Sequence, residues 1–448
     1  MTSFLPRTPR LRASLAVCDL LLLLAAMWLA HVVRFAPGER LGKLQVLLAH
    51  PGLLVAALVA LLSLAVAAEL YEPLFLRRGW EVATRVGAVA LLWGSGLAVA
   101  TYVIPSWQFG RGLLLITTVA WATAAAALRA LLAMRLRSRP RPNALVVGEP
   151  GPAHEVCRRL REHPLAPWEP VDGSAIAAED VAEEARRRGV ELVILVGPET
   201  AAGGQVSALA ALLFSGVPVV VASEVWAWLE GRLPVAELSP AAFLHQPGFG
   251  GIHWELFNRA TRVVDVVIGA VLLIVVAPIL VLGGLAVLLF DGRPVLYRQT
   301  RVGQFGRRFR VVKLRTMRLD AEKGGPAFAR PGDPRATRVG KVLRRLRLDE
   351  LPQLVNVLRG DMSLVGPRPE RPEFLAQLAR TVPYYTFRLA VPPGLTGWAQ
   401  VNMRYARSEE EHRRKLEYDL YFIRERSFRM YVLTLLRTVS VALVGVRR

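Results

Sequence analysis

Residues 263–290 have the sequence VVDVVIGAVLLIVVAPILVLGGLAVLLF, an apolar block long enough to reach across a bilayer. Pro278 lies near its middle, where it removes one helix hydrogen bond and should kink or break the helix. Two structures fit this pattern: a kinked helix that crosses the membrane, or a helix that enters, turns and leaves by the same face. The second requires other partners for the backbone groups that the proline frees. The block therefore predicts attachment to a membrane at the centre of the chain.

Four further apolar blocks precede this one, and each approaches the roughly 20 residues that a membrane-spanning helix needs. Arginines precede the first block, surround the connection after the second and follow the fourth. By the positive-inside rule, these regions and the rest of the chain lie in the cytoplasm, which predicts a multi-pass, four-helix transmembrane domain over residues 1–140. The blocks lie at residues 14–34, 44–70, 82–104 and 112–134.

Composition supports a membrane protein with an anionic partner. Hydrophobic residues make up 53% of the 448 residues, and the formal net charge is +21. Part of this charge flanks the helices, and the remainder suits anionic lipid or a phosphorylated small molecule. We predict no nucleic-acid partner, because no recognised binding motif occurs. The two cysteines, Cys18 and Cys157, lie in different parts of the chain and indicate no disulfide framework.

Residues 141–250 have the pattern of a small α/β domain. Buried-strand patterns at 144–148, 192–196 and 217–221 alternate with helix-like stretches, which predicts a parallel sheet in a Rossmann-like cytoplasmic domain. Pro150 stands where a dinucleotide-binding loop has its second glycine, so we favour a structural or regulatory role. A nucleotide-dependent sensor or redox module is the alternative.

The stretch RRLRLDELPQL at 344–354 is the strongest chemical signal in the sequence. Pro352 is tolerated in the first turn of a helix, which places Asp349 and Glu350 at a helix N-terminus, where anions are favoured. One carboxylate of such a pair can attack phosphorus, and its neighbour can hold Mg²⁺. An ordinary surface pair beside arginines is the competing interpretation.

Two clusters supply positive charge for a phosphate. In FRVVKLRTM at 309–317, an extended backbone places Lys313 and Arg315 on one face. In SLVGPRPE at 363–370, prolines and a glycine stiffen the loop around Arg368, which suits bidentate phosphate recognition. Contact with lipid headgroups is the alternative for both clusters.

Five motifs in order make the region 255–448 resemble the bacterial sugar transferases, also called monotopic phosphoglycosyl transferases. The transmembrane start and the α/β middle also resemble the larger members of this family. The resemblance implies a mostly α catalytic domain with a re-entrant membrane helix over 263–290, broken at Pro278. The motifs are QTRVG at 299–303, KLRTM at 313–317, LDELPQL at 348–354, GDMSLVGPRP at 360–369 and PGLTGWAQV at 393–401.

The resemblance also implies a two-step reaction. Asp349 would attack the sugar-bearing phosphorus of a UDP-sugar and release UMP, and polyprenyl phosphate, by resemblance undecaprenyl phosphate, would then accept the phosphosugar. Glu350 would bind Mg²⁺, while Lys313, Arg344 and Arg368 would contact phosphates. The product would initiate exopolysaccharide or another cell-surface glycan. The enzyme would lie in the bacterial inner membrane, with its catalytic domain on the cytoplasmic face.

Two further site residues come from the resemblance. Arg404 is a candidate for substrate binding, although Met403 beside it stands where the family usually has glycine. Asp419 lies in YDLY at 418–421, which fits a later acidic motif of the family. The resemblance also allows a homodimer. A non-catalytic scaffold of a polysaccharide assembly complex is the alternative function, and the transferred sugar does not follow from the sequence.

Overall fold

The chain forms two compact units, Met1–Glu230 and Gly231–Arg448. Within the second unit, Leu233 donates its backbone N–H to the carbonyl of Glu417 at 3.0 Å. The predicted domain boundaries near 140 and 250 stay a prediction. The computed structural model describes residues 9–40, 42, 45, 51–72, 80–104, 110–137, 140–177, 180–196, 217–235, 252–323, 325, 333–403, 406 and 408–444.

The first unit begins with apolar helices, as predicted. Three of its described helices are long and apolar enough to cross a membrane, and the helix from Pro51 is shorter. Part of the predicted second block, including residues 46–50, lies outside the described residues. The helices are α1 (Pro9–Arg34), α2 (Pro51–Ala67), α3 (Trp80–Val103) and α4 (Arg111–Arg137).

A buried ion pair joins α1 to α4. Arg129 donates from Nη1 and Nη2 to the two carboxylate oxygens of Asp19 at 2.9 and 2.7 Å, and both side chains are buried. Charged groups among apolar helices are costly unless paired, so this bidentate contact fixes how the two helices face each other. The Trp93 indole likewise donates to the carbonyl of Ala57 at 2.7 Å and joins α3 to α2.

The predicted parallel sheet is confirmed. Its four described strands are all parallel, in the order β2-β1-β3-β4, and helices separate most of them along the chain. The short β2, with the sequence EPVD, gave no strand pattern and was not predicted. The elements are β1 (Asn143–Gly148), α5 (Pro150–Glu162), β2 (Glu169–Asp172), α6 (Val181–Arg187), β3 (Leu192–Val196), β4 (Val219–Val221) and α7 (Ala222–Glu230).

The glycine loop of this sheet has a structural explanation. Gly148 has φ +152°, and a Cβ atom there would lie 2.2 Å from the carbonyl oxygen of Val196. Only glycine fits so close to the neighbouring strand. Asp172 accepts the backbone N–H of Ser174 at 2.8 Å, which is typical of a loop aspartate. These contacts agree with a structural role for the loop.

The second unit contains one long helix and a set of short elements. Strands β5 and β6 form an antiparallel hairpin, while β7 and β8 pair in parallel. The elements are α8 (Ile252–Asp291), β5 (Leu296–Val302), β6 (Arg308–Leu314), α9 (Arg338–Arg345), a 3-10 turn (Leu348–Gln353), α10 (Leu354–Arg359), β7 (Ser363–Val365), α11 (Pro372–Thr381), a second 3-10 turn (Tyr385–Ala390), β8 (Gly394–Thr396), α12 (Trp398–Asn402), α13 (Glu409–Arg424) and α14 (Phe428–Val444).

Helix α8 continues through Pro278 and is anchored near both ends. Toward its start, Arg262 donates to the carbonyl of Leu358 at 2.7 Å, and Asp265 accepts the backbone N–H of Leu364 at 2.8 Å. At its end, Arg315 donates to the carbonyls of Arg293 and Gly292 at 2.8 and 2.7 Å. Between these anchors the helix is apolar and largely exposed. The most exposed large side chains there are Ile274, Val275, Leu282, Leu289 and Phe290.

Candidate active site

Helix α10, which directly follows the 3-10 turn that carries the two acids, is joined to strand β6 by a buried asparagine. Asn356 donates its side-chain amide to the carbonyl of Arg310 at 2.8 Å and accepts the N–H of Val312 at 3.1 Å. It is fully buried, so it holds α10 against the strand at a fixed register. Lys313, the next residue of the strand, therefore lies beside the turn that contains Glu350.

Glu350 is held by two cations. Its carboxylate accepts from Lys313 Nζ at 3.0 Å, and it forms a two-point contact with the Arg368 guanidinium, in which Arg368 Nη1 lies 3.3 Å from Oε2. Burial alone would raise the pKa of Glu350. The charges of Arg368 and Lys313 and their hydrogen bonds outweigh burial and hold that pKa well below its usual value. Glu350 is therefore a permanent anion that fixes both cations.

The environment of Asp349 is the opposite of that of Glu350. The Asp349 side chain is buried, yet no described residue donates a hydrogen bond to its carboxylate. Burial and then the neighbouring charge of Glu350 raise its pKa, while Lys313, Arg344 and Arg368 oppose that rise. A carboxylate stripped of water and hydrogen bonds is more reactive as a nucleophile than a paired one. The adjacent acids are thus suited to different tasks.

We call Lys313, Asp349, Glu350 and Arg368 the site cluster. Its two cations remain partly accessible, since the side chains of Lys313 and Arg368 are 17% and 24% exposed. Arg344 at the end of α9 adds a third positive charge that acts on Asp349. The structure therefore brings together five of the predicted site residues, the acidic pair and three cations around it.

A second group of buried charges lies behind Arg368. We call Glu370, Arg388, Lys415 and Asp419 the supporting cluster. Arg388 donates to Asp419 at 2.7 and 3.0 Å and to Glu370 at 3.3 Å, and Lys415 also contacts Glu370. Arg388 further donates to the backbone carbonyl of Arg368 at 3.0 Å. The supporting cluster therefore holds the loop that presents Arg368 to the site.

The structure separates two of the predicted residues, Asp419 and Arg315, from the site cluster. Asp419 lies in the supporting cluster and reaches the site through Arg388. Arg315 comes directly after β6, and its guanidinium contacts carbonyls at the end of α8, so its predicted role in substrate binding stays a prediction. Arg404 lies outside the described residues.

Sequence reasoning missed Asn356 and most of the supporting cluster. Glu370 ends the SLVGPRPE segment, but its partners Arg388 and Lys415 are distant in the chain and have no local pattern. The one local signal for this cluster was the position of Glu370 in the same segment as Arg368. The pairing itself depends on how α13 packs against the second 3-10 turn.

The carboxylates of the site would hold Mg²⁺ only if a substrate phosphate supplied further oxygen ligands. Within the part of the chain that the structure describes, no three His, Cys, Asp or Glu side chains come together as a metal site. Mg²⁺ commonly takes one or two carboxylates and completes its shell with water and substrate phosphate oxygens. Glu350 provides one such carboxylate, and its oxygens also accept from Lys313 and Arg368.

Comparison with known proteins identifies the same region. A model described as bacterial sugar transferase matches residues 256–445. A UDP-N-acetylgalactosamine-undecaprenyl-phosphate N-acetylgalactosaminephosphotransferase of Aeromonas hydrophila is 37% identical over 238 residues, 53% of this chain and 55% of that protein. A UDP-glucose:undecaprenyl-phosphate glucose-1-phosphate transferase of Caulobacter vibrioides is 44% identical over 180 residues, 40% of this chain and 67% of that protein. This chain thus spans about half to two thirds of the length of these two relatives.

Proposed function

Because the chain belongs to the bacterial sugar transferase family, we propose that it transfers a sugar 1-phosphate from a UDP-sugar to a polyprenyl phosphate, by resemblance undecaprenyl phosphate. The observation that carries this proposal is the division between the two adjacent acids. Glu350 is fully paired with cations, and Asp349 is buried without a hydrogen bond from a described residue.

The reaction proceeds in two displacements at the sugar-bearing phosphorus. A carboxylate oxygen of Asp349 forms a bond to this phosphorus, and the bond to the bridging oxygen breaks, so UMP leaves with the electron pair. An oxygen of the polyprenyl phosphate then attacks the same phosphorus and releases the Asp349 carboxylate. The product is a diphosphate-linked sugar on the lipid, and the enzyme returns to its starting state.

The cations of the site cluster stabilise the charge that spreads over the phosphate oxygens. Lys313 and Arg368 are already oriented by Glu350, so they need little reorganisation when the donor binds. Arg344 approaches from the side of Asp349. When bound, Mg²⁺ would be held by Glu350 together with donor phosphates and would neutralise part of the diphosphate charge.

Helix α8 supports a re-entrant arrangement in the membrane. Arg262 and Asp265 in its first half contact α10 and β7, and Val287 in its second half packs with Leu314 and Leu343. The ends of a crossing helix face opposite sides of a bilayer whose hydrocarbon core is about 30 Å thick. Both ends of α8 instead contact one small domain, so we propose that the helix bends at Pro278 and returns to the cytoplasmic face.

The topology has a direct test. In a variant without Cys18 and Cys157, single cysteines at Gly250 and Gly306 should both be shielded from an impermeant thiol reagent in intact cells. Both should react after the cells are opened. Labelling of only one of them from outside would show that α8 crosses the membrane.

The wider biology is part of the same proposal. We propose that the enzyme lies in the bacterial inner membrane and initiates exopolysaccharide or another surface glycan, with the α/β domain Rossmann-like in form and structural or regulatory in role. A homodimer is compatible with this arrangement. The relatives' names specify N-acetylgalactosamine and glucose, so UDP-N-acetylgalactosamine and UDP-glucose are the first donors to test.

The test is UMP release by purified enzyme with Mg²⁺, undecaprenyl phosphate and a panel of UDP-sugars. We expect release with at least one donor, and loss of that release in Asp349→Asn. Asp320→Asn, the same change on an exposed turn, is the matched control and should keep full activity. No release with any donor would contradict the proposal and favour the scaffold.

A further inference from the structure

One face of the β5–β6 hairpin continues the active site beyond the site cluster. Tyr297 pairs with Lys313 in the antiparallel register, Gln299 with Val311 and Arg301 with Phe309. Side chains alternate along a strand, so Tyr297, Gln299 and Arg301 lie on the same face as Lys313. Arg298, between them, is exposed and belongs to the other face.

The groups that hold the Arg301 guanidinium in place are neutral, so they do not balance its positive charge. Its Nη1 donates to the carbonyl of Pro369 at 3.1 Å, and its Nη2 donates to the side-chain oxygen of Gln299 at 2.6 Å. The amide nitrogen of Gln299 in turn donates to the Tyr297 hydroxyl at 2.9 Å. Within the described part of the chain, no carboxylate forms an ion pair with Arg301.

The surroundings of Arg301 add positive charge. Burial, and then the charges of Arg368 and Arg371, lower the pKa of Arg301 to about 10, although Glu370 opposes this. Arg301 therefore remains protonated at neutral pH. The nearest acid behind it, Glu370, is already paired with Arg388 and Lys415. A half-buried guanidinium in such a place has capacity for a further anion.

The positions of the charged groups along the site indicate which anion Arg301 binds. The charges that act most strongly on Asp349 are those of Glu350, Lys313, Arg344 and Arg368. Arg301 lies four residues along β5 from Tyr297, the partner of Lys313, and donates to the carbonyl of Pro369, the residue after Arg368, so it extends the row of cations along this face. In phosphoryl transfer the leaving oxygen departs roughly in line with the attacking one.

We propose that Arg301 binds the phosphate of the departing nucleotide monophosphate, and that Gln299 is a positioning residue that holds the Arg301 guanidinium toward it. This inference rests on the proposed function. The bond between the reacting phosphorus and the bridging oxygen breaks, and the electron pair stays on the nucleotide phosphate. Arg301 stabilises the negative charge that develops there.

The first measurement is product inhibition by UMP. Loss of a charge-assisted hydrogen bond should raise the inhibition constant of UMP about tenfold or more in Arg301→Gln. Gln299→Ala should raise it by a smaller factor, about threefold, since the guanidinium remains but loses its orientation. Arg298→Ala, an arginine on the other face of the same strand, is the matched control and should leave it unchanged.

The second measurement separates the two displacements. In single-turnover experiments, Arg301→Gln should slow UMP release about tenfold or more but discharge to polyprenyl phosphate less than twofold, because UMP takes no part in discharge. Arg301→Lys should recover part of the loss. Equal slowing of both steps would show a structural role and overturn the inference, as would an unchanged inhibition constant. If Arg301→Gln does not fold, Gln299→Ala still provides the test. Wild-type enzyme that releases no UMP would instead refute the proposed function.

Discussion

The site cluster and the supporting cluster contain similar residues but differ in how their charges are paired. In the supporting cluster, both carboxylates contact the buried Arg388, Glu370 also contacts Lys415, and Arg388 and Asp419 are each 2% exposed. In the site cluster, Glu350 is paired in the same way, but Asp349 has no hydrogen bond from a described residue and the cations are partly open. Burial of charge is common to both clusters, whereas incomplete pairing occurs at Asp349, the proposed nucleophile.

This difference separates a structural network from a reactive one. A closed network of buried charges lowers the energy of one arrangement and is disrupted when any member is lost. An acid that is buried without partners costs folding free energy, and such a cost is tolerated where reactivity requires it. The two clusters should therefore respond in opposite ways to the removal of one carboxylate charge.

The largest effect is expected for Asp349→Asn. Loss of the nucleophile should reduce turnover by about a thousandfold or more. Because the folded pKa of Asp349 is raised, its ionised form reduces stability above the unfolded pKa, and this reduction grows as pH rises through the folded pKa. The variant should therefore melt at the same or a higher temperature at neutral pH. A clear fall in melting temperature in detergent would contradict this account of the site cluster.

Glu370→Gln should instead lower the melting temperature. The charges of Lys415 and Arg388 outweigh burial and lower the pKa of Glu370, so its contribution to stability is present above the unfolded pKa and is lost as pH falls through the folded pKa. Removing the charge leaves Lys415 and the buried Arg388 undercompensated, at a cost of about 3 kcal/mol. Thermal melts at neutral pH should show a fall of roughly 6–12 °C. Glu373→Gln is the control, since that side chain is 54% exposed and should change the melting temperature little.

The smallest effect concerns the pH profile of turnover. Burial, with Arg368 and Arg301, lowers the pKa of Lys313, although Glu350 opposes this. Activity should therefore fall on the alkaline side below the usual pKa of lysine, as Lys313 loses its proton. On the acid side, activity should fall at a pH above the usual range of aspartate, as Asp349 gains one.

Lys313→Arg tests this assignment, because arginine stays charged over the whole range. The alkaline fall should move to higher pH in the variant, while the acid fall should stay in place. An alkaline fall that is unchanged in Lys313→Arg would assign it to another group.

The sequence was sufficient for the local features of the site. Adjacent acids before Pro352, a lysine in an extended segment and an arginine between two prolines are recognisable without a structure, and the structure brings them together. Arg315 shows where this reasoning stops. Alternation along a strand predicts one face for Lys313 and Arg315, but β6 ends at Leu314 and Arg315 turns to the carbonyls at the end of α8.

The supporting cluster and Arg301 needed the tertiary structure. The contacts of Arg388 with Asp419 and of Lys415 with Glu370 join elements that are far apart in the chain, and no local pattern selects those partners. Arg301 lies in the QTRVG motif, but the strand pairing was required to place its side chain on the same face as Lys313. The parallel sheet was predictable because its apolar strands are buried on both faces, whereas β2 was too short and polar.

The most direct test of the central claim is to look for the phosphosugar on Asp349. Wild-type enzyme, Mg²⁺ and the active UDP-sugar are mixed without polyprenyl phosphate, quenched and analysed by peptide mass spectrometry. We expect one added phosphosugar on the peptide that contains Asp349, with release of up to one UMP per enzyme, and discharge when the acceptor is added. Glu350→Gln should load more slowly and at the same residue. UMP release only in the presence of the acceptor, with no modified peptide, would contradict the two-step mechanism.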